Sequence, residues 1–214
     1  MITRRSPTRH GPKPMRRPDS IPPSRHEIRP SERHYATVPH KPVHAPEQQN
    51  NVFREQRVGV FIDVSNLYHS AKHQYNAKVN YNELLKVLVG NRTLVRAIAY
   101  AIESEVKGED IFHKALSAAG FEVKLKPLQI FPGGAKKGDW DIGIAMDMIE
   151  LAPKLDVAIL VSGDGDYVDL IHHLKRAMGV KVEVSAFGRS TSGKLIDVAD
   201  SFYDMDKNPN LLIR

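Results

Sequence analysis

Aspartates cluster at three points of the chain where an α/β protein would bring them together. Asp63 ends the apolar run Val58-Gly59-Val60-Phe61-Ile62 and is followed three residues later by Asn66. Asp139 and Asp141 flank Trp140, the only tryptophan, at the head of a helical pattern. Asp164 and Asp166 stand in Ser162-Gly163-Asp164-Gly165-Asp166, directly after the apolar run Val157-Ala158-Ile159-Leu160-Val161. Carboxylates a few ångströms apart cannot all remain ionised unless cations neutralise them. A set of oxygen ligands without neighbouring Cys or His suits Mg²⁺ or Mn²⁺ rather than zinc. The chemistry that follows is phosphoryl transfer, in which a metal ion generates a nucleophilic water and stabilises the leaving oxygen.

Each of these residues also has a plainer use. Asp63 and Asn66 suit the N-terminus of a helix, and the Gly/Asp alternation after Val161 suits a tight turn. Asp139 has the position of a helix cap, and Asp169 falls on the surface. Asp147 lies six residues past Asp141, about 240° around a helix, so the two do not share a face. Lys136 and Lys137, in a Gly-rich loop, have the charge to hold a phosphate but equally fit a solvated loop. Trp140 reads first as a core anchor and only second as a stacking surface.

The elements that must position these groups follow from periodicity. Val58 to Asp63 reads as a buried parallel strand delivering its last side chain to the carboxyl edge of a sheet, where ligands of such sheets bind. A helix begins just after Ser65. Asn80-Tyr81-Asn82-Glu83 caps a second helix that stops at Gly90, and Thr93 to Ile102 is the next strand. Glu109 to Ala119 is helical, and Phe121 to Leu128 alternates strictly up to Pro127, as suits a strand near a sheet edge. Residues 129–138 read as a mobile loop. Then come a helix from about Asp139 to Leu151, the central strand Val157 to Val161, and a helix from about Tyr167 to Met178. A strand from Val180 to Ala186, a short helix from Ser192 to Asp200 and a last strand from Phe202 to Met205 complete the series. Strands alternating with helices predict a mostly parallel sheet covered on both faces.

Charge divides the chain. Residues 1–56 hold 11 of the 31 basic and 5 of the 25 acidic residues, and so carry the whole formal charge of +6, together with 10 of the 14 prolines and five of the 10 histidines. Such a segment buries too little apolar surface to offset its ordering entropy and is expected to be a disordered basic tail. It would touch nucleic acid through sequence-independent phosphate contacts, or serve simply as a solubilising linker. The rest is neutral. Absence of cysteine agrees with a reducing, cytoplasmic setting, and neither a secretory leader nor a run of about 18 apolar residues is present.

The motifs Phe61-Ile62-Asp63-Val64-Ser65-Asn66-Leu67-Tyr68, Lys137 to Asp147, Leu160 to Tyr167 and Val180 to Val184 together resemble the LabA-like NYN domains, in order and in spacing. The resemblance covers about Arg57 to Asp206, leaving residues 207–214 as a C-terminal extension. It implies a PIN-like three-layer α/β sandwich with a central, mostly parallel sheet of about five strands, and a metal-dependent ribonuclease site using Mg²⁺ or Mn²⁺. On this chain the family's acids fall on Asp63, Asp141, Asp164 and Asp166, with Asn66 and Ser162 as orienting groups. It raises Asp147 as a further, partner-type acid. Asp63, Asp141, Asp164 and Asp166 are thus the expected metal ligands, Ser162 and Lys137 contact substrate, and Asp139 and Asp147 are secondary candidates. RNA is the expected partner, and oligomerisation is left open.

Two other enzyme readings fail on spacing. A haloacid-dehalogenase-like phosphatase needs a second acid two residues after the nucleophile, where this chain has Ser65. A receiver-type phosphoacceptor needs paired acids before the strand-end aspartate, and the strand here is apolar up to Asp63. The remaining competitor is a non-catalytic NYN module that binds RNA or a protein partner.

Overall fold

The computed structural model describes residues 55–103, 109–130 and 136–213. The basic tail expected over residues 1–56 lies outside the described residues except for its last two, as does the centre of the loop over 129–138. Strands β1 (Arg57–Asp63), β3 (Thr93–Glu103), β4 (Glu122–Pro127), β7 (Val157–Val161), β8 (Lys181–Ala186) and β9 (Ser201–Asp204) form one sheet in the order β4-β3-β1-β7-β8-β9. Every neighbouring pair in it is parallel. The sheet therefore has six strands rather than about five, and the alternating strand Glu122–Pro127 does take an edge. Short pairs complete the set: β2 (Lys78–Val79) with β10 (Leu212–Ile213), and β5 (Gln129–Ile130) with β6 (Lys136–Lys137).

Strand pleat decides which helices cover which face. Val58, Val60 and Ile62 of β1 point into one core with Ala97, Ala99, Ala101, Val157, Ile159 and Val161. Helices α1 (Val64–Tyr75), α2 (Tyr81–Val89) and α3 (Glu109–Ala118) cover that face through Leu67, Ala71, Leu84, Leu88 and Leu116. The alternate residues Phe61, Ile98, Tyr100, Ala158, Leu160, Val182 and Val184 form the second core. It is covered by α4 (Asp141–Leu151), α5 (Val168–Ala177) and α6 (Gly193–Val198) through Ile144, Met148, Ile171, Leu174 and Leu195. The result is a three-layer α/β sandwich. All five residues of β7 are buried, as expected for a central parallel strand packed on both sides.

The chain leaves β1 towards β3 and β4 on one side, then returns to lay β7, β8 and β9 on the other. The direction of winding thus reverses between β1 and β7, and the crevice at such a switch point is where open α/β sheets bind ligands. β1 pairs with β7 from Val58/Val157 to Ile62/Val161, so Asp63 and Ser162 are the first residues beyond the shared ladder. Sequence order alone put the acids at strand ends; the strand order puts those ends side by side.

Several boundaries differ from the periodic reading: the ends of the expected 129–138 loop pair as β5 and β6, and three helix starts shift. Helix α1 starts at Val64 because the Asp63 side chain already caps it. Helix α4 starts at Asp141, with Trp140 at the cap position and no side-chain cap bond, because the indole is drawn into the core. Helix α5 starts at Val168 after a separate 3-10 turn, Gly165–Tyr167. The C-terminal extension packs onto the domain: Leu211 is fully buried, its carbonyl accepts from the Asn80 amide at 2.8 Å, and β10 follows immediately. Among the described residues no helix is long and apolar enough to cross a membrane.

Leu211→Ala is expected to destabilise the domain by roughly 2–5 kcal/mol, the range for emptying a buried leucine site. Denaturant unfolding of the purified variant measures it, and a loss below about 0.5 kcal/mol would show that residues 207–213 are peripheral.

Candidate active site

Asp63 leaves β1 with extended backbone and accepts the Asn66 amide at 3.0 Å, which fixes the carboxylate at the N-terminus of α1. Asn66 in turn accepts the Gly163 amide through its side-chain oxygen at 3.0 Å. One asparagine thereby ties the helix after β1 to the turn after β7. Within that turn the buried Ser162 hydroxyl accepts the Asp164 amide at 3.3 Å, and the Asp164 carboxylate accepts the Asp166 amide at 3.0 Å. The turn is pressed against the segment 188–192: an added Cβ at Gly163 would come within 3.0 Å of the Ser190 carbonyl oxygen. The Ser192 amide donates to the Gly163 carbonyl at 2.9 Å. Glycine is needed at 163 for that close approach.

Asp141 arrives from the opposite layer. Its position depends on Trp140, whose indole N–H donates to the Ala101 carbonyl at 2.8 Å and whose ring meets Tyr100 edge-on at 5.3 Å between centroids. Lys126 lies 4.7 Å from the same indole centroid and donates to the Asp139 carbonyl at 2.8 Å. Gly143 leaves room for the ring, since a Cβ there would sit 2.4 Å from an indole carbon. With Trp140 held at both ends, Asp141 projects from the first turn of α4 and accepts a hydrogen bond from the Tyr167 hydroxyl at 3.0 Å.

Electrostatics show that these groups share one locality. Burial is the main cause that pushes Asp63 up to about 6; the Asn66 amide opposes it, and the charges of Asp141 and Asp164 add to it. Asp141 is also raised, first by burial and then by Asp164, Asp139 and Asp166, against the hydrogen bond from Tyr167. Tyr167 is pushed far up by burial and by the neighbouring Asp63 and Asp141 charges, so it remains a hydrogen-bond donor at any physiological pH. Asp63, Asp141 and Asp164 therefore feel one another, with Asp166 exposed at the outer rim.

The remaining expected site residues are Asp147, Asp139 and Lys137. The Asp147 carboxylate accepts from Tyr100 at 2.6 Å and pairs with Lys124 at 2.7 Å, both through one oxygen. It clamps α4 to β3 and β4, in keeping with its position away from Asp141 on the helix. Asp139 is exposed and reaches Asp141 only as a nearby charge. Lys137 belongs to the backbone of β6, and its side chain lies outside the described residues. Two residues to which the sequence reading gave no role also matter: Tyr167, which holds Asp141, and Tyr100, which holds Asp147. A tyrosine directly after Asp164-Gly165-Asp166, at the apolar start of a helix, was the available signal for the first. Only the β1–β3 register, which sets Tyr100 level with Asp63, reveals the second.

Comparison with known proteins agrees with this fold. The NYN domain family profile matches residues 57–206. The chain is 26% identical over 163 residues to the Low amplitude and bright protein LabA of Synechococcus elongatus, covering 72% of this chain and 86% of that protein. A crystal structure of a protein of unknown function from Vibrio parahaemolyticus superposes with a TM-score of 0.69 at 38% identity, covering 75% of this chain and 98% of the other.

The raised Asp63 value has a consequence for stability. A carboxyl raised on folding adds stability at low pH that is lost as pH rises through about 6. In metal-free buffer at pH 7.5, Asp63→Asn is therefore expected to melt higher than wild type, by at most roughly 3 kcal/mol of stability. The advantage should vanish near pH 4. Thermal melts of both proteins in EDTA at the two pH values measure the difference; equal offsets at both would show that Asp63 carries no burial strain.

Proposed function

The chain belongs to the NYN domain family, which includes nucleases, and from that premise we propose that it is a metal-dependent ribonuclease hydrolysing RNA phosphodiester bonds at the rim between β1 and β7. The observation that carries this reading is the convergence of Asp63, Asp141 and Asp164, from two strand ends and a facing helix, on one locality where their charges oppose one another. The donor set is all oxygen, as Mg²⁺ or Mn²⁺ requires. Among the described residues no group of three or more His, Cys, Asp or Glu side chains already stands placed to hold a metal ion. When bound, such an ion lowers the pKa of a water and offsets charge on the leaving oxygen.

The chain's own residues divide the remaining work. Asp63, Asp141 and Asp164 would hold the ion. Asn66 and Ser162 keep the Asp164 turn in place through the Gly163 and Asp164 amides. Tyr167 donates to one Asp141 oxygen and thus aims the other. Asp166, exposed at the rim, would take a second ion or orient the attacking water. Lys137 supplies a point charge for a substrate phosphate, and the basic tail adds affinity without sequence preference. A cytoplasmic setting suits such an enzyme.

Purified full-length protein should cut labelled single-stranded or structured RNA with Mg²⁺ or Mn²⁺ and not in EDTA. Asp63→Asn and Asp164→Asn should each lose at least about 100-fold in rate, the scale seen when one preorganised electrostatic group is removed, while binding RNA as wild type does in EDTA. No cutting by wild type above the variants, with folding and binding intact, would sink the nuclease reading and leave a non-catalytic NYN module.

The tail makes a separate prediction. Deleting residues 1–56 should weaken RNA binding and make its salt dependence shallower, by about 0.7 in slope for each single-strand phosphate that the tail neutralises. Single-turnover cleavage at saturating protein should be unchanged. Equal affinity of the two forms across a salt titration would remove the tail from RNA binding.

A further inference from the structure

Beside the acidic rim, α4 and the start of α5 leave a groove of about 320 Å³ between them. Asp141 and Asp166 form one end of it, so it is continuous with the candidate active site. Ile142, Ala145 and Ile149 line its wall along α4, and Leu170 lines the α5 side. Ile142 is 77% exposed beside the charged rim. His173, exposed, stands at the far end. Arg176, also exposed, follows one helical turn later. His173 lies seven positions after Asp166, roughly 10 Å at the helical rise.

The α5 side of the groove therefore runs from the Asp166 carboxylate past Leu170 to the nitrogen groups of His173 and Arg176, facing the apolar α4 wall. A nucleotide strand has a matching order: a phosphate to be cut, a flat and largely apolar base with its sugar, then the next phosphate. The volume is at the small end of ligand sites, where one such unit fits. We infer that this groove is a subsite for the nucleoside adjacent to the scissile phosphate, with Ile142, Ala145, Ile149 and Leu170 covering its base and sugar, and His173 and Arg176 meeting the following phosphate. The inference rests on RNA being the substrate, as proposed above, and it makes the groove a determinant of where the strand sits.

The test reads binding and needs no turnover. Full-length protein in EDTA is titrated against a labelled six-nucleotide oligouridylate and against the same strand carrying a single abasic position, moved along the sequence. Ala145→Leu fills the groove, and Ile142→Ser strips its exposed wall with little risk to the fold. Each should weaken binding of the intact strand by roughly tenfold, the scale of a few methylenes in an apolar pocket. One abasic position should weaken binding to wild type by a similar factor and have no further effect in Ala145→Leu, since both remove the same interaction. Arg176→Ala should reduce the salt slope by about 0.7.

Folded groove variants that bind the intact strand like wild type would overturn the subsite, even if Asp63→Asn abolishes cleavage. So would abasic and groove effects that simply add. Sedimentation showing a wild-type dimer that Ile142→Ser dissociates, with RNA affinity unchanged, would assign the groove to a second copy instead. Absent cleavage with coupled binding effects would leave the subsite standing and remove only the catalytic reading. Absent binding by wild type would remove both.

Discussion

Repulsion among Asp63, Asp141 and Asp164 is the constraint that the surrounding structure withstands. Left to themselves, such carboxylates would separate or take up protons; the rise of Asp63 to about 6 comes first from burial, and the charges of Asp141 and Asp164 add to it. What prevents separation is covalent and hydrogen-bonded anchorage outside the cluster. Asp63 is the last residue of a strand paired on both sides. Asp164 follows a strand buried along its whole length. Neither backbone can retreat without breaking ladder bonds in the middle of the sheet.

Asp141 is held differently, and at greater remove. It is carried on a helix, and a helix can slide over a sheet in a way a central strand cannot. Trp140 opposes that motion through Ala101 and Tyr100, and Asp147 opposes it through Tyr100 and Lys124. Tyr100 contributes to both clamps. The same buried phenol that packs the second core therefore fixes the angle at which α4 presents its first acid. Packing and function meet in one side chain, so a loss at Tyr100 propagates to the site although Tyr100 ligates nothing there. The groove beside α4 follows from the same arrangement. Because α4 is pinned at its N-terminus by the indole, its Ile142, Ala145 and Ile149 face is left partly open towards α5. A domain that only had to fill its core would bring those two helices closer. Leaving the gap open next to the acids forgoes apolar burial, and a substrate group seated there would restore it.

Much of this was written in the residue order. Val58 to Asp63 and Val157 to Val161 are unbroken apolar runs ended by polar residues, and no alternative placement satisfies both the burial and the acid at the end. The stop at Gly90 and the edge position of the alternating strand before Pro127 followed from local chemistry alone. The position of β9 did not: the periodic reading gave a last strand from Phe202 to Met205, but its place beside β8 depends on pairing, which has no local signature. Nor did the start of α4, where a local cap at Asp139 lost to the burial of Trp140.

The sequence by itself determined which side chains lie at strand ends, because hydrophobic period and turn chemistry are short-range. It could not determine that Asp63 and Asp164 are neighbours, that Tyr167 reaches Asp141, or that Asp147 turns away to Lys124. Those pairings join residues 23 to 101 positions apart, and they exist only because β7 returns to the flank of β1 after β3 and β4 have been laid on the other. Strand order is a global choice among packings of similar local fitness, and only the tertiary structure makes it.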